Sequence, residues 1–187
     1  MFWPFNQFRK SPVPRGTIEA IYGAIVAQAR QPAFYADLGV PDTVNGRLDM
    51  VILHLWMTLR RLRAIGDADS NQGSLGQALI DHFCSDMDDN LRELGTSDLK
   101  VSKRLLEFNE SFYGRARAYD EALTTEASAE PLAAALDRNI YHGQGAVAAT
   151  WLAGYVARAI AALDKLDAAA LKSGDLRFPA PSKGDAA

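Results

Sequence analysis

Apolar residues recur at steps of three and four along almost the whole of this chain. Ile18, Ile21 and Ile25 begin one such run, and an α-helix brings residues with that spacing onto a single face. No stretch alternates apolar and polar residues in the manner of a half-buried β-strand. The sequence therefore predicts an all-α fold, a single compact bundle of about six to seven helices.

Capping and breaking residues divide this pattern into separate helices. Thr17 is a candidate N-cap of the first helix, and Pro32 ends that helix. A short turn of helix follows up to Gly39, and Asp42 and Thr43 then offer caps for a long helix that reaches Gly66. Four further apolar stripes predict helices over residues 75–95, 96–123, 128–143 and 145–166.

The size and composition of the chain fit one domain. With 187 residues, of which 48% are hydrophobic, the chain can bury one substantial core. We expect a flexible aromatic and basic segment (residues 1–15), a helical domain (16–171) and a disordered tail (172–187), where glycine, proline, serine and lysine accumulate. The net charge of −3 argues against general binding to nucleic acid, which needs a basic surplus.

The seventh helix raises the question of a membrane span. The stretch AVAATWLAGYVARAIAAL has 18 residues and one charge, Arg158, so it reaches the lower length limit for crossing a bilayer. Placing an arginine at the centre of a span costs about 2.5 to 3.5 kcal/mol on insertion scales. We therefore favour a helix in the middle of the bundle.

Residues 81–95, DHFCSDMDDNLRELG, concentrate the chemically active side chains. At helical spacing His82, Asp86 and Asp89 lie in one stripe, which Glu93 extends. Cys84, the single cysteine, lies off that stripe and faces no local histidine base. A metal-dependent enzyme using His82, Asp86 and Asp89 is the sharper alternative, but paired Glu-x-x-His segments and a second aspartate-rich run are missing from the sequence. An edge that binds a partner, or an internal brace paired with Arg115, remains as the other interpretation.

Three blocks of the sequence resemble the ubiquinol-cytochrome c chaperone family. They are FYADLGVPDTVNGRLDMVILHL, DMDDNLRELGTSDLKVSKRL and FYGRARAYDEAL. The resemblance implies an all-helical assembly factor without enzymatic activity, which binds newly made cytochrome b of the bc1 complex and, in mitochondria, works with a small co-chaperone near the ribosome. It implies no catalytic residue, and we expect no metal or cofactor. The motif residues carried over from the resemblance are Asp42, Thr43, Gly46, Arg47, Asp49, His54, Asp86, Asp88, Arg92, Gly95, Asp98, Lys103, Phe112, Tyr113, Gly114, Arg115 and Tyr119.

We expect contact with a partner at the charged and aromatic motif positions and along the acidic stripe. An acidic edge beside an apolar groove would suit a nascent membrane protein, whose apolar segments are flanked by lysine and arginine. Exposed parts of Phe112, Tyr113 or Trp56 would hold the apolar segments. The predicted partner-binding residues are Arg47, Asp49, His54, Asp86, Asp88, Asp89, Arg92, Glu93, Lys103, Tyr113 and Arg115.

The first ten residues, MFWPFNQFRK, suggest contact with a membrane. Aromatic rings prefer the lipid interface, and basic residues prefer anionic head groups. The alternative is that the rings fold back over a hydrophobic seam. The predicted membrane-contacting residues are Phe2, Trp3, Phe5, Phe8, Arg9 and Lys10. We expect a cytoplasmic protein associated peripherally with the inner membrane, and a carrier of quinone or another lipid is the alternative function.

Overall fold

The chain is all-helical in the computed structural model, which describes residues 13–66, 74–93, 98–124 and 129–183, without the side chains of residues 91 and 98–109. This confirms the predicted fold class. Within those ranges the helices are α1 (Arg15–Ala29), α2 (Pro32–Ala36), α3 (Val44–Ala64), α4 (Leu75–Glu93), α5 (Asp98–Thr124), α6 (Glu130–Ile140), α7 (Ala146–Leu163) and α8 (Ala168–Lys172).

Helix α3 is the central element of the bundle. All side chains of residues 50–58 are buried, and α3 contacts α1, α4, α5, α6 and α7. Around it, α1 packs on α4, and α6 packs between α5 and α7. Because α3 is covered on every side over these nine positions, polar residues among them must find partners inside the protein.

The start of the first helix differs from the prediction. Helix α1 begins at Arg15, directly after Pro14, and not after Thr17. The Thr17 hydroxyl instead donates to the carbonyl oxygen of Lys172 at 3.0 Å, so this side chain links α1 to the end of α8. The proline already breaks the chain at a suitable point for a helix start, which frees the threonine for a tertiary contact.

The prediction of a disordered tail is wrong for residues 172–183. Lys172 ends α8, and the extended chain that follows lies against α1 and α7. Leu176 is 6% exposed, and the carbonyl oxygen of Pro179 accepts a hydrogen bond of 2.8 Å from the side-chain amide of Gln28. Two apolar anchors, Leu176 and Phe178, therefore hold a segment whose composition is typical of disorder. We call residues 174–183 the strap.

Helix α7 lies in the bundle. By length and composition it is apolar enough to cross a membrane. Its inner face, which includes Leu152, Tyr155 and Val156, is fully buried. The Arg158 guanidinium donates to the carbonyl oxygen of Ser182 at 2.9 Å, so the arginine is hydrogen-bonded to the strap.

Candidate functional site

The first motif block builds the start of α3. The Thr43 hydroxyl accepts a hydrogen bond from the backbone N–H of Gly46 at 3.0 Å, which is an N-cap. A Cβ atom on Gly46 would lie 2.0 Å from the carbonyl oxygen of Pro41, so glycine is required there. The Arg47 side chain pairs with Asp42 at 2.6 Å and lies over the ring of Tyr35. These motif residues stabilise a local turn, and Arg47 remains more than half exposed.

An ion pair between Asp49 and Arg115 joins α3 to α5. Asp49 is 5% exposed, and Arg115 both donates a hydrogen bond to it and neutralises it. Burial raises the pKa of Asp49 against the opposing effect of the guanidinium. The expected pairing of Arg115 with Asp86 is therefore corrected: Arg115 is an internal brace, but its partner is Asp49. With its carboxylate buried, Asp49 has almost no surface to offer a partner.

Helix α1 divides the acidic stripe of α4 into two parts. The Tyr22 hydroxyl donates to a carboxylate oxygen of Asp86 at 2.7 Å, and its ring meets the ring of His82 edge to face with centroids 4.8 Å apart. Burial, with help from Asp86, raises the pKa of Tyr22. Asp89 and Glu93 lie beyond this contact and are exposed. Only this second half of the stripe is open to solvent along its length.

The other charged residues of α4 pair within the helix. Arg92 donates to Asp88 at 2.6 Å across one helical turn. Such exposed pairs contribute little to stability. The structure does not describe the side chain of Lys103. Gly95 and the predicted membrane-contacting residues lie outside the described residues.

His54 lies in the interior, which corrects its assignment to the partner surface. Its side chain has no exposed area, and its Nδ1 lies 2.7 Å from the carbonyl oxygen of Met50. Since a carbonyl can only accept, Nδ1 carries the proton, and Nε2 accepts from the Tyr155 hydroxyl at 2.7 Å. Burial lowers the pKa of His54 to about 4, so the ring is neutral at physiological pH.

The His54 contacts belong to a chain of hydrogen bonds between three helices. Gln28 of α1 donates to the Tyr155 hydroxyl at 3.0 Å and to Pro179 of the strap. Gln31 in turn donates to the side-chain oxygen of Gln28 at 2.7 Å. Within the described residues every fully buried side-chain nitrogen or oxygen has a hydrogen-bond partner. The network is thus closed, and the strap supplies one of its acceptors.

A groove of about 220 Å³ opens between α3, α4 and α5. We call it the open groove. Of the aromatic residues expected there, Trp56 and Phe112 form its floor at 1% and 5% exposure, whereas Tyr113 is 58% exposed. The lining also includes Leu59, Gln77, Ile80 and Ala116. The expectation of exposed aromatic surface therefore holds for Tyr113 and fails for the other two.

Polar contacts fix the floor and rim of the open groove. The Trp56 indole N–H donates to Asp120 at 2.9 Å, and Arg63 donates to the other oxygen of the same carboxylate at 3.1 Å. Asp81 of α4 accepts from the lining residue Gln77 at 2.7 Å, and exposed Glu110 precedes the lining residue Tyr113 by one turn of α5. Carboxylates therefore lie next to lining residues on α4 and α5, and the charged residue of the lining itself is Arg63.

Gly114 has no steric reason to be glycine in the isolated chain. It lies inside α5, exposed to solvent beside Tyr113, and an added Cβ would meet nothing within 4 Å. A glycine in a helix interior costs about 0.5–1 kcal/mol relative to alanine. The bare backbone at Gly114 is therefore a feature that packing within the chain does not explain.

The residues proposed for chemistry are not gathered into a reaction centre. In the described part of the chain, no three histidine, cysteine, aspartate or glutamate side chains are grouped to hold a metal ion. Burial and the nearby Asp81 raise the pKa of the Cys84 thiol, which disfavours the nucleophilic thiolate. The described residues define an all-helical bundle of a class with a closed polar interior and a groove on its surface.

Comparison with known proteins agrees with this class. A family model described as ubiquinol-cytochrome C chaperone matches residues 36–178, and the chain belongs to this family. A solved structure, the Cbp3 homolog from Brucella abortus, is 38% identical and superposes with a TM-score of 0.76 over 91% of this chain and 93% of its own. The earlier resemblance is confirmed.

Curated relatives carry names that state their role. Ubiquinol-cytochrome-c reductase complex assembly factor 1 of Xenopus laevis is 26% identical over 66% of this chain and 60% of its own length. The mitochondrial protein CBP3 of Saccharomyces cerevisiae is 30% identical over 59% of this chain and 32% of its own length. The matched region covers less than two thirds of the length of each of these two relatives.

Sequence reasoning missed several residues of these sites. Asp120 and Asp81 carry no pattern of their own, because their roles depend on which helix lies opposite. Gln28 is polar inside an apolar stripe of α1, and that position was the one available signal that it has a buried partner. Pro179 and Ser182 act through backbone carbonyls, which leave no mark in the sequence.

Proposed function

We propose that this protein is a non-enzymatic assembly chaperone, which binds newly made cytochrome b and supports biogenesis of the cytochrome bc1 complex. Membership of the family supports the general role. The observation that carries the proposal is the open groove with exposed Tyr113 on its wall. An exposed aromatic residue beside an apolar groove is a typical anchor for a protein partner.

The charges around the open groove suit such a client. Cytochrome b is a membrane protein, and short cytoplasmic loops of membrane proteins are rich in lysine and arginine next to apolar segments. In our proposal the apolar segment lies along Tyr113 and Ile80, and its basic flank meets Asp81 and Glu110.

The size of the groove favours a protein client over a carried lipid. Pockets that enclose small ligands usually have volumes of about 300–1,000 Å³, whereas the open groove has about 220 Å³. A quinone with its tail would remain largely in water there. A protein segment needs only to cover the groove, so the lipid-carrier alternative has no specific observation in its favour.

Crosslinking from Tyr113 tests the proposal. A photoreactive amino acid at position 113, in cells that are synthesising cytochrome b, should form a crosslink to that protein. Position 134 is the matched control, because Ala134 is exposed on α6 and lies outside the lining of the open groove. Crosslinks of equal yield from both positions, or none from position 113, would contradict the proposal.

We also propose peripheral attachment to the inner membrane on its cytoplasmic side. The support is the aromatic and basic composition of residues 1–10. Vesicles containing anionic lipid should pellet the full chain more strongly than a chain that lacks residues 1–10. Equal pelleting would remove this part of the proposal. A ribosome contact and a small co-chaperone remain proposals that rest on the family resemblance alone.

A further inference from the structure

The strap occupies the groove between α1 and α7 in a way that resembles a bound peptide. Two side-chain donors hold the strap: Gln28 binds the carbonyl oxygen of Pro179, and Arg158 binds the carbonyl oxygen and, at 3.2 Å, the hydroxyl of Ser182. Donors that hold backbone carbonyls impose little requirement on the sequence of the bound segment. They select instead for an extended chain, whose carbonyls are not used in a helix.

Proline spacing and aromatic contacts supply the selectivity. The strap contains the run Phe-Pro-Ala-Pro at residues 178–181, and the two held carbonyls are three residues apart. Three residues make one turn of a polyproline II helix, the form in which aromatic-lined grooves commonly bind proline-containing peptides. The ring of Phe178 meets the ring of His54 edge to face, with centroids 5.0 Å apart.

A cation completes the contact at the far end of the strap. The Lys183 ammonium lies 4.3 Å from the ring centroid of Trp151 on α7, which is a cation–π interaction. The groove therefore contacts three features in order along the strap. These are an aromatic side chain, a proline-containing extended backbone and a basic side chain.

We propose that the α1–α7 groove is a second polypeptide-binding surface, at present filled by the strap, and that a partner segment with an aromatic–proline pair followed by a basic residue replaces the strap. This proposal rests on the proposed function for the identity of the partner. Basic loops beside apolar segments are what a nascent membrane protein presents. The strap then acts as an internal competitor, which must be displaced before the groove accepts a client.

Exchange of the strap for a free peptide tests the groove without any client. The probe is a fluorescent synthetic peptide with the sequence of residues 174–183, and the protein is the full chain. A tethered segment competes at an effective concentration near the millimolar range, so the wild-type groove should take up little peptide, and Phe178→Ala should bind it at least about tenfold more tightly. Fluorescence anisotropy measures both affinities.

Matched variants separate this result from a general loss of structure. Lys183→Ala weakens the strap at an exposed end, far from the core, and should also increase peptide binding. Gln28→Ala added to Phe178→Ala should reduce it again, because the donor to Pro179 is lost. Val44→Ala, at the exposed start of α3, should bind as the wild type does. A peptide with alanine in place of its phenylalanine is the matched probe and should bind poorly.

Two results would overturn the proposal. One is equal binding of the peptide to the wild type and to Phe178→Ala, which would place the binding site elsewhere. The other is no binding to Phe178→Ala or Lys183→Ala when circular dichroism shows both to be folded. Cytochrome b loop peptides with the same pattern should displace the probe from Phe178→Ala, and failure to do so would overturn the assignment of the partner.

The direct binding of the strap peptide involves no cytochrome b sequence, and the crosslinking measurement at position 113 does not involve the strap. Failure of the first therefore counts against the α1–α7 groove alone. Failure of the second counts against the proposed function.

Discussion

The open groove and the α1–α7 groove are both lined by apolar and aromatic residues, but the side-chain donors in the two grooves have different hydrogen-bond partners. Beside the open groove, Trp56 and Arg63 donate to Asp120, so the polar groups of the protein satisfy one another. In the α1–α7 groove, Gln28 and Arg158 donate to the backbone of the strap. The first groove thus offers apolar area with a charged rim, whereas the second recognises the backbone of an extended chain.

This difference has an energetic consequence. When the open groove is empty, no buried side-chain donor among the described residues lacks a partner. This groove can therefore stay open in the free protein. Removing the strap would take from Gln28 one of two acceptors, since the bond to Tyr155 remains, and would expose the apolar surface that Leu176 and Phe178 cover. The α1–α7 groove therefore needs an occupant at all times, and exchange is a more natural event there than opening.

The largest expected effect concerns the ion pair that fixes α5, the helix that carries Tyr113 of the open groove. Replacing Arg115 by methionine leaves the Asp49 carboxylate buried without its cation, and such a change costs about 3–5 kcal/mol of stability. Urea unfolding of Arg115→Met against the wild type measures it. Arg117→Met is the matched control on the same helix, since Arg117 is 81% exposed and pairs with Glu121 across one turn. We expect no measurable change in the control, and a loss below about 1 kcal/mol in Arg115→Met would contradict the role of this pair.

The next effect belongs to the α1–α7 groove and depends on pH. The folded state keeps His54 neutral down to about pH 4, whereas in the unfolded chain histidine binds a proton below about pH 6.5. Between these values the unfolded state holds more protons, so stability rises with pH and the contribution of His54 levels off above pH 6.5. The shift corresponds to roughly 3 kcal/mol across this window.

A variant separates the contribution of His54 from that of carboxylates, which titrate in the same pH range. His54→Gln should be less stable than the wild type near neutral pH, and the stability difference between the two proteins should shrink by roughly 3 kcal/mol as the pH falls from 6.5 to 4. Urea unfolding at several pH values gives this difference. Parallel pH profiles would mean that the interior histidine is not held neutral by burial.

The sequence predicted the helices well because their signals are local. Spacings of three and four predicted α1 and α3, and Thr43 was one of two cap candidates, with Asp42, that the sequence offered. What it could not give was the partner of Arg115, because Asp49 and Asp86 lie on different helices and the choice depends on how α5 packs across α3. The order of the strap was missed for a similar reason. Its composition is polar and proline-rich, and the donors that fix it, Gln28 and Arg158, are remote in sequence.

The smallest expected effect tests whether a partner needs the bare backbone of α5. Gly114→Ala should stabilise the protein by about 0.5–1 kcal/mol, because alanine is the better helix former and the added Cβ meets nothing. If a client packs closely against this turn, the same methyl group should lower the yield of crosslinks from position 113. Gly23→Ala on α1 is the matched control, since that glycine is also exposed and open; it should stabilise similarly and leave the crosslinks unchanged. Full crosslinking in the Gly114→Ala protein would mean that the client does not approach the helix backbone there, and contact would then depend on the Tyr113 side chain.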